Sequence, residues 1–311
     1  MKNQLEQLRE MTRIVADTGD VKVMQDYSPE EATTNPSLLY ASATDPNYRT
    51  LVERERERVE NRKDLLLENL WVSWGAEILH HIPGRVSTEI DPRLSFDREE
   101  NISAARRLIK LYEERGIQRE RVLIKIASTW EGIQAAKHLE REGIHCNMTL
   151  LFHHAQAMAC ADAGVTLISP FVGRIWDWYQ KNGRLASEDP AEDPGVRFVK
   201  SVHQLYKRWG CSTEVMGASF RRLDQVLELA GIDALTLSPT LLAQLQASNE
   251  PLERKLFSEV AEEDCSQRAP LQESEFHWQL CCDPMATEKL AEGICKFHAD
   301  TSKLYDWLST F

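Results

Sequence analysis

The sequence predicts an α/β fold in which about eight strands alternate with helices and close into a single (β/α)8 (TIM) barrel, with additional N- and C-terminal helices. Two observations support this fold. Short apolar runs rich in Val, Ile and Leu alternate with amphipathic helical patterns along most of the chain, and polar residues recur where the strands end. Single barrels commonly exceed ~250 residues, so we expect residues 1–311 to form one catalytic domain.

The predicted elements follow each other from the N terminus. Strands are predicted at about residues 14–17, 31–34, 85–91, 122–127, 146–151, 165–170, 213–218 and 234–238. Helices are predicted at about 4–13, 53–63, 65–79, 101–115, 131–142, 153–163, 173–180, 196–209, 219–230, 284–298 and 301–308, and a further helix is predicted to start near residue 36. Gly116, Gly143 and Gly164 follow three of these helices, as C-terminal caps do. Residues 182–195 and 248–275 are predicted to be irregular.

The most informative strand is residues 122–127, in which five of six residues are apolar and the sixth is Lys125. Both faces of a parallel strand are covered, so this ammonium should leave bulk water. A buried ammonium costs several kcal/mol unless it is paired, and it often releases its proton instead. A neutral amine in a dry site is the nucleophile of Schiff-base chemistry. The alternative is a structural lysine paired with a carboxylate in the barrel core.

Polar residues mark a series of strand ends, where one alone would carry little information. They are Asp17, Asn35, Glu89, Lys125, Asn147, Thr149, Ser169 and Ser219. The C-terminal ends of barrel strands meet on one face, which is where such barrels carry their active sites. The series therefore favours a catalytic role for Lys125 over a structural one.

Composition excludes several other functions. The net charge of −12 argues against sequence-independent nucleic-acid binding, although local arginines can still bind an anionic substrate. There is no apolar run of the length that a membrane span needs and no signal peptide. The seven cysteines are odd in number and have no Cys-x-x-Cys spacing. We therefore expect reduced thiols, a cytoplasmic protein and no metal site.

Seven motifs in chain order closely resemble the transaldolase family, in its long bacterial and eukaryotic form. They are VADTGD at 15–20, ATTNPSL at 32–38, GRVSTE at 84–89, LIKIASTW at 123–130, NMTLLF at 147–152, ISPFVGR at 168–174 and MGASFR at 216–221. The resemblance implies a cofactor-free transfer of a dihydroxyacetone unit between phosphorylated ketoses and aldoses. Fructose 6-phosphate or sedoheptulose 7-phosphate would be the donor, and erythrose 4-phosphate or glyceraldehyde 3-phosphate the acceptor.

The resemblance also implies a role for each matching residue. Lys125 would form the Schiff base, Asp17 would take the proton from the C4 hydroxyl, and Glu89 would act through a water held by Thr149. The hydroxyls of the three-carbon fragment would bind Asn35 and Asn147, which Thr33 and Ser169 support, and Phe171 would also belong to the substrate-binding residues. The phosphate would bind Arg174, Ser219 and Arg221. For either arginine, a surface ion pair is the alternative.

Other functions remain open at this point. A free aldolase that releases dihydroxyacetone to water is the nearest, but related aldolases resemble the chain with Gln and Tyr where it has Glu89 and Phe171. A non-catalytic sugar-phosphate-binding barrel and a metal-dependent aldolase are further alternatives. The chain departs from the family pattern at Glu31, where Asp is usual, and at Pro92 and His153-His154. The family also suggests a homodimer, but no interface is evident from the sequence.

Overall fold

Eight parallel strands form the centre of the computed structural model, which describes residues 2–60, 63–257 and 269–309. They are β1 Arg13–Asp17, β2 Glu31–Thr33, β3 Val86–Glu89, β4 Val122–Ala127, β5 Cys146–Leu151, β6 Leu167–Pro170, β7 Glu214–Gly217 and β8 Ala234–Leu237. Each strand pairs with the next in chain order, and β8 pairs with β1 to close the barrel. The predicted (β/α)8 fold is confirmed.

Helices connect the strands and extend the barrel at both ends. They are α1 Gln4–Arg9, α2 Val21–Tyr27, α3 Pro36–Thr44, α4 Arg49–Arg58, α5 Lys63–Leu79, α6 Arg98–Glu113, α7 Trp130–Arg141, α8 His154–Ala163, α9 Val172–Lys181, α10 Pro194–Arg208, α11 Leu223–Leu227, α12 Pro239–Ala247, α13 Glu273–Cys281 and α14 Pro284–Ser309. Within the described ranges, no helix is both long enough and apolar enough to cross a membrane.

Several helix predictions are wrong. The predicted pair 284–298 and 301–308 is one continuous helix, α14, because its mid-helix polar residues are satisfied locally: the Thr301 hydroxyl donates to the carbonyl of Phe297. The helix predicted at 219–230 is only α11, since the backbone at Ser219 is left-handed and the Gln225 side chain caps the N–H of Arg221. Helices α2, α12 and α13 were not predicted, and part of the segment 248–275 lies outside the described residues.

The side chains inside the barrel form layers. Five apolar residues form an interior cluster separate from the large core beneath the helices: Val15, Leu123, Leu167, Met216 and Ala234. Side chains two residues further along a strand share its face. The residues above this cluster are therefore Asp17, Lys125, Ser169, Ala218 and Thr236. An apolar floor thus supports a polar layer at the C-terminal ends of the strands.

The opposite, N-terminal end of the barrel is closed by four charged residues. Arg85 Nε donates to Glu31 at 2.7 Å, and Arg85 Nη2 donates to Glu214 at 2.7 Å. Arg13 also pairs with both carboxylates, lying 3.4 Å from Glu31 Oε2. Glu31 is only 6% exposed, so its carboxylate depends on these partners. This departure from the usual Asp is part of an ion-pair network that joins β1, β2, β7 and the residue preceding β3.

Candidate active site

A cavity of about 260 Å³ opens at the C-terminal ends of the strands and brings most of the predicted site residues together. Those that line it are Asp17, Thr33, Asn35, Lys125, Thr149, Ser169, Phe171, Arg174, Ser219 and Arg221. Glu89 and Asn147 are not part of the wall and are buried beside it. Thr236 and Phe297 also line the cavity, and neither was predicted.

Lys125 lies at the centre of this arrangement. The register of three neighbouring strands places Glu89, Lys125 and Asn147 side by side. Lys125 is 5% exposed. Its Nζ donates to the carbonyl of Thr34 at 3.1 Å and lies 3.1 Å from Glu89 Oε2. The amine therefore has a carboxylate partner, as the structural alternative requires, but it also faces a cavity, which that alternative does not require.

Two carboxyl groups near Lys125 have raised pKa values. Burial raises the pKa of Glu89 above its ordinary value of 4.5, and the charges of Lys125 and Arg174 offset only part of that effect. Burial likewise raises the pKa of Asp17 above 3.8, against the same two cations. Asp17 keeps some contact with solvent through the cavity, but its carboxyl is surrounded closely enough to lose much of its hydration. Both groups are thus suited to exchanging protons nearer neutral pH than exposed carboxyls.

Some polar atoms at the cavity have no hydrogen-bond partner among the described residues. They are Glu89 Oε2, Thr149 Oγ1 and Thr236 Oγ1. Lys125 Nζ lies close enough to Glu89 Oε2 for an ion pair, but the two groups are not oriented for a hydrogen bond. A buried polar atom without a hydrogen bond is costly. A polar ligand in the cavity would supply partners to these three atoms.

The two asparagines are held by protein contacts on one side. Asn147 Nδ2 donates to Ser87 Oγ at 3.0 Å, and Asn147 Oδ1 accepts from Ser169 Oγ at 2.6 Å. These bonds fix the orientation of the Asn147 amide. Asn35 has the extended backbone predicted for a residue before proline, and its Oδ1 caps α3 by accepting from the N–H of Leu38 at 3.0 Å. The amide nitrogen of Asn35 remains free of that cap.

A bulge in β5 sets the position of Thr149. The pairing register with β6 shifts between Met148 and Leu151, and Leu150 has a left-handed backbone with φ of 56°. The fully buried Gln156 supports this geometry by donating to the carbonyls of Ser128 and Leu150 at 2.8 and 3.1 Å. Strained backbone of this kind is concentrated at functional sites.

The two predicted phosphate-binding arginines have different surroundings. Arg221 donates to Asp177 through Nε and Nη2, at 2.7 Å for the shortest contact, and also to Ser219 Oγ at 3.3 Å. The predicted alternative of an ion pair is therefore present at Arg221. Arg174 makes no hydrogen bond or ion pair with any described residue. Burial, followed by the charge of Arg221, lowers the pKa of Arg174 below its ordinary value.

The segment around Ser219 is held against the start of α9. Ser219 has φ of 62°, and its carbonyl accepts from the N–H of Gly173 at 2.6 Å. A Cβ on residue 173 would overlap that carbonyl oxygen. The close approach places Ser219 and Arg221 beside Arg174, which lies in the first turn of α9, where backbone N–H groups favour an anion.

His153 and His154 lie outside this cavity. His153 caps α8 by accepting from the N–H of Ala155 at 3.0 Å, and His154 contacts Ser201 Oγ at 2.8 Å. A larger cavity of about 580 Å³ lies between α5, α6 and α14 and contains none of the predicted site residues. We assign the site to the smaller cavity, where the strand ends converge. No group of three or more His, Cys, Asp or Glu side chains among the described residues could hold a metal ion.

The fold is a parallel (β/α)8 barrel, and a buried lysine and two carboxyl groups with raised pKa values lie at the ends of its strands. These features place the chain in the class of (β/α)8-barrel enzymes. The model of the transaldolase/fructose-6-phosphate aldolase family matches residues 14–308. Proteins named transaldolase from Yersinia pseudotuberculosis serotype IB (strain PB1/+) and serotype I (strain IP32953) are each 51% identical over 316 residues, covering 99% of this chain and 99% of theirs. The chain belongs to the transaldolase/fructose-6-phosphate aldolase family.

Proposed function

We propose that this protein is a transaldolase that transfers a dihydroxyacetone unit between phosphorylated sugars through an imine on Lys125. The observation that carries the proposal is the placement of Lys125. The residue is 5% exposed, and its amine faces the cavity and lies 3.1 Å from Glu89. Membership of the family supports the same reaction. Sedoheptulose 7-phosphate and glyceraldehyde 3-phosphate would give erythrose 4-phosphate and fructose 6-phosphate.

The first half of the reaction forms and uses the imine. The neutral amine of Lys125 adds to the ketose carbonyl, and loss of water leaves a protonated imine. Glu89 supplies and receives the protons of these steps, through a water bound at Thr149. Asp17 then removes the proton from the C4 hydroxyl. The C3–C4 bond breaks, its electron pair moves toward the imine, and the aldehyde leaves.

The second half runs these steps in reverse with a different aldehyde. The three-carbon enamine remains on Lys125, where Asn35, Asn147, Thr33 and Ser169 hold its hydroxyls. Its carbon attacks the carbonyl of the acceptor, and Asp17 returns the proton to the new hydroxyl. Water then releases the ketose from Lys125. Arg174, Ser219 and Arg221 bind the phosphate and so align both the donor and the acceptor.

Acceptor dependence separates this function from that of a free aldolase. Glu89 and Phe171 favour transfer over release, because related aldolases have Gln and Tyr at these places. We expect glyceraldehyde 3-phosphate formation from fructose 6-phosphate to need an added aldehyde acceptor such as erythrose 4-phosphate. Equal rates of donor cleavage with and without acceptor would instead assign the chain to the free aldolases.

Borohydride reduction in the presence of fructose 6-phosphate tests the imine. We expect a covalent adduct on Lys125 in the wild type, located by peptide mass analysis, and no adduct and no turnover in Lys125→Ala. The variant should stay folded, because Glu89 can take up a proton once its cation is removed. Lys200→Ala is the matched control, since Lys200 pairs with Glu228 on the outside of the barrel. A wild-type protein that forms no adduct would contradict the proposal and favour a sugar-phosphate-binding barrel.

The remaining expectations accompany this function. We propose that residues 1–311 act as one catalytic domain in the cytoplasm, with no metal or other cofactor. The cysteine pattern and acidic composition support that location. Assembly into a homodimer remains a prediction, which size-exclusion chromatography with light scattering would test.

A further inference from the structure

We propose that Phe297, on the C-terminal helix α14, is a positioning residue that holds Arg174 in place for substrate phosphate. The inference rests on the proposed function, because it concerns how the same site recognises a phosphorylated sugar. Phe297 carries no group that could take part in bond making or breaking. Its ring centre lies 5.2 Å from the guanidinium carbon of Arg174 and 6.0 Å from Lys125 Nζ, so the arginine is its closer cation and the test separates the two.

Arg174 is held by two aromatic rings. Its guanidinium carbon lies 4.9 Å from the ring centre of Phe171 and 5.2 Å from that of Phe297. Both distances are within the range of a cation–π contact. Phe171 follows β6, while Phe297 belongs to α14. Two distant parts of the chain therefore meet on this one side chain.

Holding a guanidinium by its π faces leaves its N–H groups free. Arg174 makes no hydrogen bond or ion pair with the described residues, so its planar fork of donors is available to a phosphate. Arg221 differs, because Asp177 and Ser219 already occupy several of its donors. Arg174 should therefore be the principal phosphate ligand, and its orientation should depend on the two rings.

Gly293 lies one helical turn before Phe297, on the same face of α14. A Cβ on residue 293 would come within 2.6 Å of Leu150 Cδ2 and 3.0 Å of Arg174 Nη1. The glycine thus lets α14 approach the barrel closely enough for Phe297 to reach Arg174. Gly293 and Phe297, at positions i and i+4 on this face, therefore both lie against Arg174.

α14 is also tied to the barrel beyond Phe297. Asp300 is 8% exposed, and its carboxylate accepts from the hydroxyl of Ser37, at the start of α3. Lys303 Nζ donates to the same carboxylate at 2.8 Å. Ser37 follows Asn35 and Pro36, so the tether joins α14 to a loop that lines the cavity. Phe297 is therefore anchored on both sides, by Gly293 and by Asp300.

The test compares Phe297→Leu with Phe297→Tyr, which keeps the ring. We expect Phe297→Leu to raise the KM for fructose 6-phosphate by about 3- to 30-fold, the range of a cation–π contact, with a much smaller change in kcat. Phe297→Tyr should stay within about 2-fold of wild type. The yield of borohydride adduct with unphosphorylated dihydroxyacetone should be unchanged in both variants.

A double-mutant cycle identifies the route of the effect. In an Arg174→Ala background, Phe297→Leu should change the KM by less than about 2-fold, because the side chain that Phe297 positions is gone. Phe276→Leu is the control for loss of a buried ring, since Phe276 packs on Trp130 away from the cavity. It should leave the KM near that of wild type.

Additive effects of the two substitutions, or equal losses on phosphorylated and unphosphorylated substrates, would overturn the inference. A normal KM in Phe297→Leu would do the same. These outcomes differ from failure of the proposed function, in which the wild-type protein itself would form no adduct with fructose 6-phosphate.

Discussion

Lys125, Glu89 and Asp17 place one ammonium and two carboxyl groups in a space with little water. Glu89 is the closer partner of Lys125, at 3.1 Å. The charge of Asp17 further raises the pKa of Glu89. Burial raises the pKa of both carboxyl groups, so each can hold a proton nearer neutral pH than an exposed carboxyl. The same set can therefore supply protons in imine formation and accept them in bond cleavage.

The raised pKa of Glu89 predicts the acid side of the pH profile. A base works in its deprotonated form, so kcat/KM should fall as the pH drops through a value above 4.5, the ordinary value for Glu. We expect Glu89→Gln to be slower than wild type. The acid limb of its pH profile should also lie at lower pH, because Lys125 then stabilises the charge of Asp17 alone. The pH dependence of kcat/KM measures both effects.

The control for this profile is Glu188→Gln, whose side chain is 86% exposed and should not affect the limb. A Glu89→Gln variant with an unshifted acid limb would show that Glu89 does not carry the controlling proton.

The two arginines predict unequal contributions to phosphate binding. Arg174→Ala should raise the KM for fructose 6-phosphate by about 10²-fold, because losing the hydrogen bonds of a charged guanidinium to the phosphate can cost ~3 kcal/mol of binding free energy. Arg221→Ala should raise the KM several-fold less, because the guanidinium of Arg221 already pairs with Asp177. Reaction with free dihydroxyacetone should be spared in both variants. Steady-state kinetics on the two substrates decides the matter, and equal losses on both would rule out a phosphate role.

At the scale of elements, the site depends on two segments with unusual backbone. The bulge of β5 at Leu150 determines the position of Thr149. The left-handed backbone of Ser219 determines the path of the loop between β7 and α11. Each is stabilised from a neighbouring element: Gln156 of α8 supports the bulge, and Gly173 of α9 contacts the loop. The geometry of the proposed site thus depends on adjacent βα units together.

Gly173→Ala tests this dependence. The added methyl group would collide with the Ser219 carbonyl, so we expect the loop to move and the KM for phosphorylated substrates to rise by at least about 10-fold. Gly84→Ala is the matched control: its Cβ would come 2.5 Å from the carbonyl oxygen of Glu30, at the opposite end of the barrel. That variant should lose stability without a selective change in KM. Similar KM values for both variants would contradict the prediction.

At the scale of the whole molecule, the residues that stabilise the barrel and the residues proposed to react lie at opposite ends of its axis. The N-terminal end is closed by the ion pairs of Arg13, Glu31, Arg85 and Glu214, and an apolar layer lies above them. The groups proposed to react occupy the C-terminal end. Because strands hold the two ends apart, changes at one end should leave the other largely intact.

Arg85→Ala should therefore destabilise the protein without changing its chemistry. Removing this arginine leaves the buried Glu31 carboxylate with only the 3.4 Å contact to Arg13, and breaking a buried pair typically costs about 3 to 5 kcal/mol. Denaturant unfolding should show this loss, while kcat of the folded protein stays near that of wild type. Arg106→Ala, which removes an exposed pair with Glu142, should change stability little. If Arg85→Ala were as stable as wild type, the network would not close the barrel.

Much of this architecture could be predicted from local patterns. The six residues of β4 and of β5 were predicted with their observed bounds, because burial on both faces makes such strands mostly apolar and the polar residues in them few. The helices were less predictable. α14 was divided in two because Asp300 and Thr301 are polar, and their partners, Ser37 and the Phe297 carbonyl, could not be inferred from the sequence.

Phe297 was missed for a related reason. A phenylalanine on an amphipathic helix is usually a core residue, and the apolar pattern of the helix does not distinguish one that faces a cavity. The only local signal is Gly293 four residues earlier, which permits a close approach on that face. Which element α14 approaches depends on the path of the chain after β8, and part of that path lies outside the described residues.

The sequence by itself determined the strand order, the residues at the strand ends and the lysine among them, because the periodicity of a strand records which side chains are buried. The tertiary structure alone decided that Arg221 is paired while Arg174 is held between two rings, and that Glu31 belongs to the network that closes the barrel. Such partnerships depend on distances between segments far apart in the chain, and local periodicity carries no information about those distances.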